Sequence, residues 1–288
     1  FVLYANIDNF DATRYTLEPA KLSVMDRWLL SKLNTLITEV DHDLDTYCIP
    51  EAARALQTFV EDMSNWYVRR GRERFWAKGM EQDKINAYMT LYTALVTVAK
   101  LAAPMIPFMT EDIYQNLVRS LDPNAPESIH LCDYPVADPT LVDPQLEEDM
   151  EAVLETVTAG RAARNTANVK NRQPLAVMYI KAPFTLNEYY QAIIRDELNV
   201  KELRFVDDVS AFISYSFKPQ LRTVGPKYGK LLGRIREALT NLDGSAAMAT
   251  LRAGEPLRFR FDDQEIELQE EDLLIETLQQ DRYVSETE

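Results

Sequence analysis

Histidine, cysteine and glycine are scarce in this chain: two, two and eight among 288 residues. His42, His130, Cys48 and Cys132 show no CxxC or Cys/His spacing, which removes the usual frame of a zinc site. Cys132 and His130 alternate on one short segment, SIHLCDYP, without a third group to orient them, a poor basis for a nucleophile pair. Two buried free thiols suit a reducing cytoplasm, with a single disulfide as the competing reading. The glycines are scattered, and neither a P-loop nor a GxGxxG pattern occurs, so no glycine-rich loop is set up to cradle phosphate. No apolar run approaches the roughly 18 residues of a membrane span. No basic-then-apolar signal segment opens the chain. Asp41/Asp43 and Glu147/Glu148 read as solvated helix surface. The expectation is a cytoplasmic chain with no catalytic residue and no metal of its own.

Positive charge in bulk is also lacking. The net charge is -15, which argues against non-specific adhesion to nucleic acid or membrane. A local basic face survives that total, because screening confines charge to about 10 Å. Four bases and no acid lie between Arg161 and Arg172, and six bases and no acid between Lys218 and Arg236. From Asp262 onward, eleven acids face one base, Arg282.

What the chain does have is helical periodicity. Leu29, Leu33, Leu36, Ile37, Val40 and Leu44 recur at steps of three or four, which predicts a helix from Asp26. A second begins near Pro50 with Leu56, Phe59, Val60, Met63 and Tyr67 on its stripe. A third runs from about Asp83 to Ala103, where Pro104 and Pro107 break it. Thr110 is expected to cap a fourth. The pattern predicts a helix bundle over 23–143, preceded by a linker or entry strand at 1–22. A connecting helix and basic loop should fill 144–173. Alternating segments at 175–181, 201–206, 211–217, 257–261 and 265–269, with helices at 186–198 and 224–242, predict a smaller mixed α/β domain over 174–288. The last two strands read as a hairpin turned at Asp262–Asp263, and HLC at 130–132 as a short strand packed on the bundle. The fold class is thus mainly α.

The stretch NWYVRRGRERFW (65–76) interleaves four aromatics with Arg69, Arg70, Arg72 and Arg74. Cationic forks beside flat π-faces suit RNA, whose phosphates and unstacked bases they contact. The competing reading is a bundle end with core aromatics and arginines paired to carboxylates. Projection at 100° per residue divides the cluster. Arg70 and Arg74 fall on the buried stripe and, with Trp66, take a structural role. Arg69 and Arg72 point outward with Trp76 on their side; a kink at Gly71 would alter this phase. A second candidate group is Arg164, Lys170, Asn171, Arg172 and Gln173, whose cations and amides suit phosphates and base edges. A third is Lys227, Lys230 and Arg234, spaced to share one helical face. Solvated surface competes in both cases. Trp28, Tyr88 and Tyr92 read as core.

DRWLLSKLN (26–34), NWYVRRGRERFW, LAAPMIPFMTEDIYQNL (101–117), HLCDYP (130–135), RNTANVKNRQPL (164–175) and ELNVKELRF (197–205) together resemble the C-terminal part of class Ia aminoacyl-tRNA synthetases. The first three segments are shared with valyl and leucyl relatives. The last two favour the isoleucyl family in its eukaryotic-like form, with valyl second. The resemblance covers about 1–206 and fades beyond. It implies the class Ia anticodon-binding bundle, with tRNA-Ile as partner alongside the catalytic and editing domains of a longer chain. The parent would attach isoleucine to tRNA using ATP and Mg²⁺. The HIGH and KMSKS signatures are absent from these residues, and the opening FVLYANIDNF lacks Met, so the resemblance implies an inactive piece that holds no cofactor. A helical protein-interaction domain without RNA binding is the alternative of another class.

Overall fold

A computed structural model describes residues 1–182, 186–207, 213–261 and 264–279. The chain divides into two compact units, Phe1–Glu151 and Ala152–Glu288.

In the first unit, the opening segment is helical where a linker or entry strand was expected. Helix α1 spans Val2–Ile7, and two 3₁₀ turns follow at Ala12–Arg14 and Pro19–Lys21. Asn9 adopts a left-handed φ of 52°, which turns the chain so that Phe10 stacks on Tyr88 with ring centroids 4.7 Å apart. Helix α2 (Val24–Asp45) opens with a capping box: Ser23 Oγ accepts from the Asp26 amide, and the Asp26 carboxylate accepts from the Ser23 amide. Helix α3 (Ile49–Asp62) carries Pro50 in its first turn and passes into a π turn at Met63–Val68. Gly71 interrupts the chain before the short helix α4 (Arg72–Trp76). A Cβ at this position would lie 2.8 Å from the Tyr67 carbonyl oxygen, a clash that only glycine avoids. Helix α5 (Gln82–Ala102) buries Ala87, Tyr88, Leu91, Ala94 and Leu101.

Helix α6 (Pro107–Tyr114) is capped at Ile106, four residues before the expected Thr110 cap. Proline takes a first-turn position, where its missing N–H costs nothing. Thr110 is instead buried inside the helix and donates to the carbonyls of Ile106 and Pro107. The HLC segment is a 3₁₀ turn, Ile129–Leu131, not a strand. Ser128 Oγ accepts from the His130 amide, and the Glu111 carboxylate accepts from the Ile129 amide and the Ser128 hydroxyl. These local bonds give the backbone a turn in place of a ladder.

Helix α7 (Pro144–Thr166) contains the division between the units. In the second unit, β1 (Leu175–Ile180), α8 (Glu188–Leu198) and β2 (Val200–Phe205) form a βαβ unit with the strands parallel, Leu175 opposite Val200. Strand β3 (Ile213–Pro219) is followed by α9 (Leu221–Tyr228), a 3₁₀ turn at Gly229–Leu231, α10 (Leu232–Thr240) and α11 (Gly244–Arg252). Strands β4 (Leu257–Phe261) and β5 (Gln264–Leu268) pair antiparallel, and β6 (Leu273–Gln279) returns to pair antiparallel with β3. The hairpin turn expected at Asp262–Asp263 lies outside the described residues. Val224, Ile235, Leu239, Leu251, Ile266 and Leu268 make the core between these later elements.

Gly160 lies within α7, where a Cβ would stand 2.4 Å from Leu198 Cδ1 and 3.1 Å from Met178 Cε. Leu198 is fully buried and has little room to yield. Gly160→Ala gains about 1 kcal/mol of helix propensity but overpacks this contact at a cost of about 1–3 kcal/mol. Urea unfolding of the variant should show net destabilisation, and the loss should shrink in a Leu198→Ala background.

Candidate nucleic-acid interface

The arginine–aromatic stretch is organised from the inside. Arg74 extends from α4 to α2 and grips Asp26 through two parallel bonds, Nη1 to Oδ1 at 2.8 Å and Nη2 to Oδ2 at 2.9 Å. The same guanidinium reaches Asp83 on α5, with Nε to Oδ2 at 2.9 Å and Nη2 to Oδ1 at 2.8 Å. Tyr67 donates its hydroxyl to Asp26 Oδ1 at 2.5 Å. Burial by itself would raise the Asp26 carboxyl, but hydrogen bonds from Arg74, its charge, and the bonds from Tyr67 and Ser23 hold it below the usual carboxylate range. Burial and the Asp26 charge push the Tyr67 phenol well above its ordinary value.

The outer face of the same stretch carries Arg72 and Trp76. The Arg72 guanidinium lies 5.3 Å from the centroid of the Trp76 ring, and Trp76 is 55% exposed. A guanidinium stacked on indole presents a flat cationic surface, held in place by the ring. Arg69 is exposed, and its Nε donates to the Asn65 carbonyl at 2.9 Å. Arg70 is half-buried, and Trp66 is buried.

The second group lies in the loop after α7. The helix ends with Asn168 at a φ of 54°; the Val169 amide donates to the Arg164 carbonyl at 2.8 Å and the Asn168 amide to that of Asn165 at 3.0 Å. This left-handed ending turns the chain back over the helix terminus. Arg164, grouped in sequence with the RNA-facing cations, is therefore buried, 5% exposed. Its Nη2 donates to the carbonyls of Lys170, Asn171 and Gln173, and its Nε to Asn171 Oδ1 at 3.3 Å. Desolvation lowers its pKa, and Nη1 is buried without a hydrogen bond among the described residues. Arg164 shapes the loop instead of presenting itself to a ligand.

Asn171 is engaged on both sides. Its Nδ2 donates to the Glu197 carbonyl at 3.3 Å, and its own carbonyl accepts from Asn199 Nδ2 at 3.1 Å. Asn199 caps α8 at a φ of 49°, and Arg161 pairs with the buried Glu197 at 2.6 Å. The amide expected to read base edges is part of the scaffold. Lys170, Arg172 and Gln173 remain exposed on that scaffold.

The third group is not one helical face. Lys227 lies on α9, Lys230 in the Gly229–Leu231 turn and Arg234 on α10, so the regular phase that their spacing assumed is broken. Pro226 inside α9 removes an N–H from the helix, and Tyr228 leaves helical geometry at φ -139°, ψ 30°. Lys227 is committed to the fully buried Asp272, with Nζ 3.0 Å from Oδ1. Arg234 stacks over the Phe261 ring at 5.1 Å, and Lys230 is exposed.

The first unit thus carries a cation–π pair on its surface, and the second carries a basic loop braced by Arg164. The chain belongs to the family described as "Anticodon-binding domain of tRNA ligase", which it matches over residues 26–180. It is 46% identical over 275 residues to an isoleucine–tRNA ligase of Clostridium tetani, covering 96% of this chain and 26% of that protein. It is 43% identical over 298 residues to the Thermus thermophilus isoleucine–tRNA ligase, covering 99% of this chain and 28% of the relative. A Dehalococcoides mccartyi isoleucine–tRNA ligase is 50% identical over 176 residues, 61% of this chain and 17% of that protein. The chain thus spans about a quarter of the length of the first two relatives.

Asp26 supplies a pH test. A carboxyl depressed in the folded state adds stability above its unfolded pKa, about 3.9, and loses that contribution as pH falls through the lower folded value. Unfolding followed by tryptophan emission reads the first unit alone, because Trp28, Trp66 and Trp76 all lie there. Asp26→Asn should cost about 3 kcal/mol at pH 7, since it strips a partner from the half-buried Arg74. It should also flatten the decline in stability below about pH 4.

Proposed function

We propose that this chain is the tRNA-recognition portion of an isoleucine–tRNA ligase, gripping the anticodon stem and loop of tRNA-Ile. The observation that carries the reading is the family match over residues 26–180, which includes both the Arg72–Trp76 pair and the exposed Lys170, Arg172 and Gln173. Arg72 and Trp76 offer a cation and a stacking face, a combination suited to phosphate and an unstacked base. Lys170 and Arg172 neutralise phosphates, and Gln173 donates to or accepts from a base edge. Arg69, Lys230 and Arg234 are subsidiary contacts in this reading. Arg164 and Asn171 act through the shape of the loop, while Lys227 is held by Asp272.

The relatives compared above are isoleucine–tRNA ligases, which favours isoleucine over the valyl alternative. They are bacterial, so the eukaryotic-like form rests on sequence resemblance alone. In this proposal the parent is a cytoplasmic enzyme whose catalytic and editing domains are the partners of this portion, which is inactive without them. Among the described residues no three His, Cys, Asp or Glu side chains converge on a metal position. The proposal assigns ATP and Mg²⁺ to the rest of the parent. No helix among the described residues is long and apolar enough to cross a membrane.

Titration of the chain with a tRNA-Ile transcript across a salt series tests the reading. Engagement of about four to six phosphates gives a log–log slope of about -3 to -5. Anticodon-swapped transcripts should bind more weakly. Arg72→Ala and Arg172→Ala should each weaken binding and shorten the slope by about one, with little change in melting temperature. Equal affinity for every RNA, or none for any, would favour the alternative of a protein-interaction domain.

A further inference from the structure

The turn carrying Arg72 and Trp76 is tied to the opening segment through one buried lysine. The side chain of Lys84, on α5, is only 3% exposed. Its ammonium meets Asp8 Oδ2 at 2.7 Å and donates to the Ala77 carbonyl at 2.7 Å. Ala77 is the C-cap residue of α4, so the cation sits against the negative end of the short helix that presents Arg72 and Trp76. Asp8 receives a second bond from the Tyr88 hydroxyl, at 2.6 Å to the same oxygen. Burial alone would raise the Asp8 carboxyl, but Lys84 and Tyr88 bring it below its ordinary value.

Aromatic packing makes the same connection. Tyr88 takes Phe10 on one side, stacked at 4.7 Å, and the edge of Phe75 from α4 on another, at 5.2 Å. Phe1 also packs edge-on against Tyr88 at 5.8 Å. The opening segment and α4 therefore share two anchors on adjacent turns of α5: Lys84 for the polar groups and Tyr88 for the rings. A buried ammonium needs both its partners, because an unpaired one is strongly disfavoured. Withdrawing Asp8 leaves Lys84 with the Ala77 carbonyl and no counter-charge, and the end of α4 loses its fixed support.

We propose that Lys84, held by Asp8, is a positioning residue for the RNA contact of Arg72 and Trp76, so that seating of the segment 1–10 sets the geometry of that contact. The proposal rests on the reading of Arg72 and Trp76 as tRNA-facing. Lys84 is too deeply buried to meet RNA itself. Asp8 discriminates by sign. Removing an acid from a protein that binds a polyanion strengthens binding if only charge matters, whereas loss of positioning weakens it.

The experiment uses Asp8→Asn, whose site is partly exposed and which leaves the apolar core intact. Affinity for the tRNA-Ile transcript should fall about three- to tenfold, and the substitution should have no further effect in an Arg72→Ala/Trp76→Ala background. An unchanged or increased affinity would overturn the proposal, as would an equal loss in both backgrounds. A second readout needs no RNA. Trp76 is the exposed one of the three tryptophans, so acrylamide quenching reports on its surroundings; Asp8→Asn should change that quenching while helical circular dichroism is retained. Unchanged quenching overturns the coupling. Failure of the wild-type chain to bind any tRNA overturns the functional reading instead, while the quenching result still decides whether the segment and the turn are linked.

Discussion

The ion pair between Arg74 and Asp26 organises the first unit. One guanidinium bridges α2, α4 and α5, because its planar fork satisfies Asp26 with two donors and Asp83 with others. Lysine, with a single ammonium, could not reproduce that geometry. Asp26 serves two purposes at once: it completes the cap of α2 through Ser23 and receives Arg74 and Tyr67. A charge at the start of α2 thereby determines how the arginine–aromatic segment lies on the bundle. With Arg74 turned inward, Phe75 is buried and the ring of Trp76 is left outside beside Arg72.

The two candidate surfaces follow one design in separate units. In each, an inward arginine orders the backbone so that other polar side chains can face solvent. Arg74 does this with carboxylates, and Arg164 with carbonyl oxygens. The difference is electrostatic. A guanidinium facing carboxylates is neutralised locally, whereas one facing carbonyls keeps its charge. The loop Lys170–Gln173 thus stands over a buried positive charge that adds to the field of Lys170 and Arg172.

Helical periodicity carried most of the bundle, because the apolar stripes of α2, α3 and α5 repeat over several turns and their burial depends on that repeat. The strand, helix and strand of 175–206 were expected as separate elements, whereas the parallel pairing of β1 with β2 was not. Short-range polar chemistry was harder to anticipate. Thr110 has the residue type of a cap, yet Pro107 starts α6 before it; His130 lies on an alternating segment, yet the Ser128 hydroxyl closes a turn. Strand β6 was hidden in an acidic stretch because its partner, β3, is more than fifty residues away. Helix α11 is built largely of small residues and shows little stripe. Among the site residues, Arg74 lies on the buried stripe by simple projection, even though a π turn and Gly71 intervene. The burial of Arg164 could not be read from composition, since it depends on the left-handed turn at Asn168. A signal existed in the asparagines: Asn168 and Asn199 are the residue type that tolerates positive φ, and each ends a helix.

Sequence separation distinguishes the two arginine clamps. Arg164 closes on carbonyls six to nine residues ahead, a loop closure of small entropic cost. Arg74 meets Asp26 across 48 residues, and only after three helices have converged. The clamp under the Lys170–Gln173 loop is therefore local in sequence, whereas the one beneath the Arg72–Trp76 surface is long-range.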